Sequence, residues 1–145
     1  DMKELLEELI KKSLDDLYQN DEYLIKHRVA ERDITSKFAH YFQNNMRETI
    51  IADYDVDCEY NRDGYGMKNI DGTLVYPDFI LHKRGTNDSN LLIIEFKTWW
   101  NSDNREDIEK LKAMMSDWYR YQYQYGYSII LNQERDSVTV TCVEH

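Results

Sequence analysis

Asp78, Glu95 and Lys97 are the residues of this chain best placed to do chemistry. Asp78 follows Tyr76-Pro77 and opens an apolar segment, Phe79-Ile80-Leu81. Glu95 and Lys97 close a second one, Leu91-Leu92-Ile93-Ile94-Glu95-Phe96-Lys97. A short apolar run of this kind reads as a buried strand. Side chains alternate across a strand, so Glu95 and Lys97 share one face and Phe96 takes the other. Burying a carboxylate and an ammonium costs several kcal/mol unless they are paired or bind a metal. Two acids and a lysine on one sheet face suit a hydrolytic site that uses a divalent cation.

The intervening segment gives this grouping a register. Lys83 to Asn90 contains Gly85, Asn87, Asp88, Ser89 and Asn90, which is turn chemistry. A hairpin pairing Phe79–Lys83 with Asn90–Ile94, with His82 opposite Leu91, also sets Asp78 opposite Glu95. Opposed residues share a face with Cβ atoms about 5 Å apart. Two carboxylates that close repel unless a cation lies between them. The competing reading is a cross-strand ion pair of these acids with Lys97 at a solvated strand end.

Pro77-Asp78, a hairpin, and then Glu95-Phe96-Lys97 resembles the PD-(D/E)xK nuclease superfamily, with its restriction-endonuclease-like fold. The resemblance runs from about Leu24 to the C-terminus. It implies an α/β sandwich with a mixed central sheet flanked by helices, here with an extra N-terminal helix over residues 1–20. It also implies Mg²⁺ or Mn²⁺, held by Asp78, Glu95 and the backbone carbonyl of Phe96. Lys97 would be the catalytic lysine, and Glu31 the further acid that the family often carries on its first core helix. The activity implied is metal-dependent phosphodiester hydrolysis of nucleic acid, with DNA the first expectation. The alternative is a catalytically silent module of the same fold, kept for protein interaction or subunit assembly.

The elements that must position these residues follow from periodicity. Leu5, Leu6, Leu9, Ile10, Leu14 and Leu17 predict a helix over about Met2–Asn20. A second helix is predicted over about Tyr23–Met46, where Glu31 shares a stripe with Ile34, Phe38 and Phe42. An acid on an apolar stripe is unusual, although an ion pair with Arg28 or a hydrogen bond with Thr35 would also explain it. Ile50–Arg62 alternates as a strand with one wet face. Asp63-Gly64-Tyr65-Gly66 lacks the spacing of a phosphate loop. A helix over Asp103–Tyr121, capped by Ser102 or Asp103 and striped by Ile108, Leu111, Met115 and Trp118, precedes strands at Tyr127–Leu131 and Ser137–Val143. Lys110 lies off that stripe and is a weak nucleic-acid contact on the strength of the resemblance. The tyrosines interleaved with Arg and Gln over Tyr119–Tyr127 can stack on bases, or serve as half-buried packing residues.

Composition bounds the reading. At 145 residues the chain is one domain with a single core. It has no apolar run long enough for a membrane, and its acidic start is not a secretory signal. Cys58 and Cys142 are expected as reduced core thiols of a cytoplasmic protein, and the four histidines lack zinc spacing. The net charge of −10 is the wrong sign for gripping nucleic acid. A locally basic mouth formed by Lys83, Arg84, Lys97, Arg62 and Lys68, a basic partner subunit, or metal ions that offset repulsion would resolve that conflict; a homodimer is the other partner expected.

Overall fold

The computed structural model describes residues 1–60, 69–117 and 119–144. Lys68, Arg62, the Asp63–Gly66 loop and Trp118 lie outside the described residues. Helix α1 spans Met2–Lys26 and helix α2 spans Glu31–Met46. Strands β1 (Asp55–Asp57), β4 (Phe79–His82), β5 (Leu92–Thr98), β6 (Tyr125–Leu131) and β7 (Thr139–Val143) form one sheet in the order β1-β4-β5-β6-β7. β5 and β6 are parallel, and the other neighbours are antiparallel. Helix α3, Arg105–Met115, makes the β5–β6 crossover. A small separate hairpin, β2 (Asn69–Ile70) and β3 (Thr73–Leu74), precedes β4. The chain is thus an α/β protein with a mixed five-stranded sheet between helices.

Strand alternation sorts the core into two layers. Phe79, Leu81, Leu92, Ile94, Phe96, Ile129 and Leu131 pack with the buried stripes of α1 and α2. Ile80 and Ile93 on the opposite face pack with Leu111, Met114 and Met115 of α3. Helix α1, expected as an addition ahead of the core, supplies Leu6, Leu9, Ile10, Leu14 and Leu17 to the first layer of this same chain. The aromatic contacts Phe38–Phe96 and Phe42–Phe79, with centroids 4.9 and 5.0 Å apart, lock α2 onto β4 and β5.

Three boundaries differ from the expectations, each for a local reason. The predicted helix over 23–46 is broken after Lys26: α1 kinks at Asp21 (φ −129°, ψ 25°), beside the expected end at Asn20, resumes to Lys26 and then stops in a Schellman motif. The Val29 N–H donates to the Leu24 carbonyl and the Arg28 N–H to the Ile25 carbonyl, with Arg28 in the left-handed region at φ 56°. Arg28 does there what glycine usually does, and its guanidinium lies 5.7 Å from the rings of both Trp99 and Trp100. The strand expected over Ile50–Arg62 contracts to β1, since residues 49–54 continue in turns after α2. Helix α3 begins after Asn104, which makes no side-chain cap, and ends at Met115 rather than Tyr121. Beyond it Tyr121 and Tyr123 are buried, and Tyr127 is buried on β6, so these three tyrosines are packing residues. Both cysteines are free, but neither is a core residue: Cys58 is exposed and Cys142 half-buried. Among the described residues no helix is long and apolar enough to cross a membrane.

Candidate functional site

The hairpin pairs Phe79 with Ile94, Ile80 with Ile93 and Leu81 with Leu92, the register read from the turn chemistry. One step further on, Asp78 and Glu95 meet, and each carboxylate accepts a backbone N–H of the opposite strand segment. The Asp78 N–H donates to Glu95 Oε2 at 2.7 Å, and the Phe96 N–H donates to Asp78 Oδ2 at 2.8 Å. Each acid thus replaces a rung of the ladder where the strand pairing stops. The Asp78 carbonyl in turn accepts from the Glu59 N–H, which ties the segment after β1 to the same point. Pro77 is buried, and lacking an N–H it leaves no rung unmade on the approach.

Six side chains gather here from four elements. Asp78 precedes β4, and Glu95 and Lys97 lie on the α3-facing side of β5. Glu31 is the first residue of α2, two turns before Phe38 on the stripe that meets the sheet. Asp107 and Lys110 come from α3. Lys97 Nζ lies 3.7 Å from Asp107 Oδ2, an ion pair too long for a hydrogen bond. Lys110 is ion-paired with Glu95 Oε1 and donates to the Tyr76 carbonyl at 3.2 Å. Ser128 stands beside Glu95 in the β5–β6 ladder and accepts from Asn104 Nδ2. Asp107 was absent from the sequence reading and Lys110 entered it only as a weak nucleic-acid contact. Their signal is a spacing, since Asp107 and Lys110 stand three residues apart on α3, with buried Leu111 and Met114 continuing along the helix.

Four acids face two lysines, and the acids are strained by it. Burial raises the Glu95 carboxyl to about 8, with repulsion from Asp78 adding and Lys110 subtracting. Burial also raises Asp78, against the pull of the Phe96 N–H and of Lys110. Glu31 is pushed up to about 7, first by burial and then by Asp78, with Lys97 opposing. Asp107 is raised by burial despite Lys97. Of these groups Glu31 and Asp78 line a cleft, which makes the cluster a functional-site candidate. The cleft is small, about 90 Å³, and is lined by Glu31, Arg32, Thr35, Cys58, Glu59 and Asp78.

The donors are hard oxygens with surplus negative charge, and in kind they fit a hard divalent cation. Their arrangement is not that of a ready cage. Among the described residues no three acidic, histidine or cysteine side chains surround a common point, and both Glu95 oxygens are engaged within the protein.

Lys83 and Arg84, expected beside this cleft, sit at the turn end of the hairpin. The four residues of β4 separate them from Asp78, roughly 13 Å of strand. Arg84 donates to both Asp57 carboxylate oxygens, at 2.9 and 2.7 Å, and Lys83 Nζ lies 2.9 Å from Asp53. They neutralise acids of their own region and do not form a basic mouth. Comparisons of the chain with known protein families, with curated proteins and with solved structures found no match.

Proposed function

We propose that this chain is a metal-dependent phosphodiesterase acting on nucleic acid, of the PD-(D/E)xK kind. One observation carries the reading: Asp78 and Glu95, held face to face where Glu95 accepts from the Asp78 N–H and Asp78 from the Phe96 N–H, share a sheet face with Lys97. Asp78, Glu95 and the Phe96 carbonyl would hold Mg²⁺ or Mn²⁺, with Glu31 close by. When bound, the cation would polarise a phosphate oxygen and lower the pKa of a bound water. Lys97 would orient a water and offset negative charge gathering on the phosphate, with its ammonium 3.7 Å from Asp107 Oδ2. Glu31, poised near neutrality, suits the holding or passing of a proton. DNA is the preferred substrate class. With a net charge of −10, few phosphates would be engaged unless a basic partner subunit supplies positive surface.

A second reading is favoured by the engagement of both Glu95 oxygens, which suits a silent module of the same fold kept for protein interaction. Cleavage of a labelled oligonucleotide with Mg²⁺ separates the two. Wild type should cut, and Lys97→Met, which keeps the aliphatic stem, should lose on the order of 10²–10³ in rate while retaining its circular dichroism spectrum. Equal rates would remove Lys97 from the chemistry. A wild type that neither cuts nor binds Mg²⁺ would leave the silent module.

A further inference from the structure

We infer that Lys110 is a movable internal counter-ion of the acid pair, holding Glu95 while no divalent cation is bound and passing to Glu106 when one takes its place. The inference rests on the metal-dependent reading above and adds to it a built-in control on metal loading.

The position of Lys110 makes the case. Glu95 is 2 % exposed, so its ionised form needs a cation beside it. Lys97 is committed to Asp107, and Lys110 therefore fills that role at Glu95 Oε1, an oxygen a divalent cation would need. Its second tether, the Tyr76 carbonyl, is a single neutral hydrogen bond. The Lys110 side chain remains 25 % exposed and lines an open groove of about 640 Å³ between α3 and the β2–β3 hairpin. That groove is also lined by Asp71, Glu106 and Glu109. Glu109 lies 3.6 Å from Lys112, whereas Glu106 stands one turn before Lys110 on α3. Glutamate four residues ahead of lysine is the favoured order for a helical ion pair. A displaced Lys110 thus needs only to turn outward along its own helix to find a new partner. Metal binding and the Lys110 position are then linked, and each must oppose or favour the other by the same factor.

Calorimetric Mg²⁺ titration of the full chain tests this without reference to activity. Titrations at a series of pH values are compared on the alkaline plateau, where protons no longer compete for Glu95. Lys110→Met removes the competing charge and should bind Mg²⁺ about tenfold more tightly than wild type. Lys110→Gln keeps a donor for Glu95 and the Tyr76 carbonyl, so it reports even if the methionine variant is unstable. It should tighten binding in the same direction. Glu106→Gln removes the outward partner and should weaken binding about two- to threefold, while Glu109→Gln should leave it unchanged. Mg²⁺ binding by wild type that is equal or weaker in both Lys110 variants would overturn the inference and leave the nuclease reading standing. An unchanged Glu106→Gln would overturn the transfer to that residue. Absence of Mg²⁺ binding in every variant would overturn both readings. Binding by the Lys110 variants alone would overturn the exchange, since Lys110 would then never yield Glu95 to the cation in the native chain.

Discussion

The two ends of the β4–β5 hairpin treat the same residue type in opposite ways. Toward the turn end Asp57 of β1, paired opposite Ile80, accepts from His82 Nε2 at 2.7 Å and from Arg84 through both oxygens. Burial works to raise its carboxyl, but these hydrogen bonds prevail and hold it below the usual aspartate range. Asp53 is lowered too, by its hydrogen bond from Lys83. At the open end Glu31, Asp78, Glu95 and Asp107 are all raised, with two lysines between the four. One cluster satisfies its charges internally and is structural. The other is left short of positive charge where a cleft opens, and that shortage is what a ligand can relieve.

The largest expected effect is relief of the open end by a cation. Mg²⁺ at a hundredfold excess over its Kd should stabilise wild type by about 2.7 kcal/mol, read as a rise in melting temperature. Glu95→Gln should abolish the rise. Asp57→Asn, at the other end, should keep it, and an equal gain in all three proteins would erase the distinction between the clusters.

Substitution in the metal-free protein sharpens the comparison next, because the two ends should respond with opposite signs. Asp57→Asn gives up charged hydrogen bonds from Arg84 and His82 and should cost about 1–3 kcal/mol. Asp78→Asn can still accept from the Phe96 N–H while losing its repulsion with Glu95, and should stabilise by about 1 kcal/mol. Denaturant melts in a chelator decide this. Destabilisation by both would mean that the open end is no more strained than the turn.

How much of this was legible in the sequence follows the same division. The hairpin register was readable because it needs only local information: apolar runs of fixed length around a turn, with Pro77 marking one end. It set Asp78 against Glu95 before any tertiary contact was known. The break between α1 and α2 was not readable, since Arg28 takes the left-handed conformation that glycine or asparagine would have signalled. Glu31 consequently opens α2 instead of lying within a longer helix, though its stripe with Ile34, Phe38 and Phe42 holds. Lys110 and Asp107 became site residues only when α3 docked on the sheet, because a spacing on one helix cannot say which acid it will meet. Lys83 and Arg84 misled for the converse reason. Proximity in sequence to Asp78 counted for less than the direction of the strand between them.

The pH dependence separates the ends again. Glu95 and Glu31 have folded-state values raised to about 8 and about 7, so the native state binds more protons than the unfolded chain above their ordinary 4.5. Metal-free stability should therefore fall as pH rises from about 4.5 to about 8. Asp57 is lowered, so its contribution is present above its ordinary 3.8 and is lost as pH falls through its lower folded value. Melting temperatures across pH for wild type and Glu31→Gln should show a shallower decline between about pH 4.5 and about pH 7 in the variant. Identical slopes would remove Glu31 from the strained group.

The smallest effect is expected from the cations themselves. If Lys83 and Arg84 belong to the structural end, Lys83→Gln with Arg84→Gln should leave oligonucleotide affinity within about twofold of wild type, since neither would neutralise a phosphate. The slope of log affinity against log salt should likewise be shallow and unchanged, because that slope counts the phosphates engaged. Melting temperature should drop a little, and less than in Asp57→Asn, because that substitution strips the acid of its charge while this one leaves His82 paired with it. Fluorescence anisotropy with a labelled oligonucleotide in Mg²⁺, repeated across salt concentrations, measures both quantities. A steep wild-type slope that flattens in the double variant would show nucleic acid bound at the turn end. The charge-matched cluster would then be a binding surface, and the contrast between the two ends would fail where it was meant to be strongest.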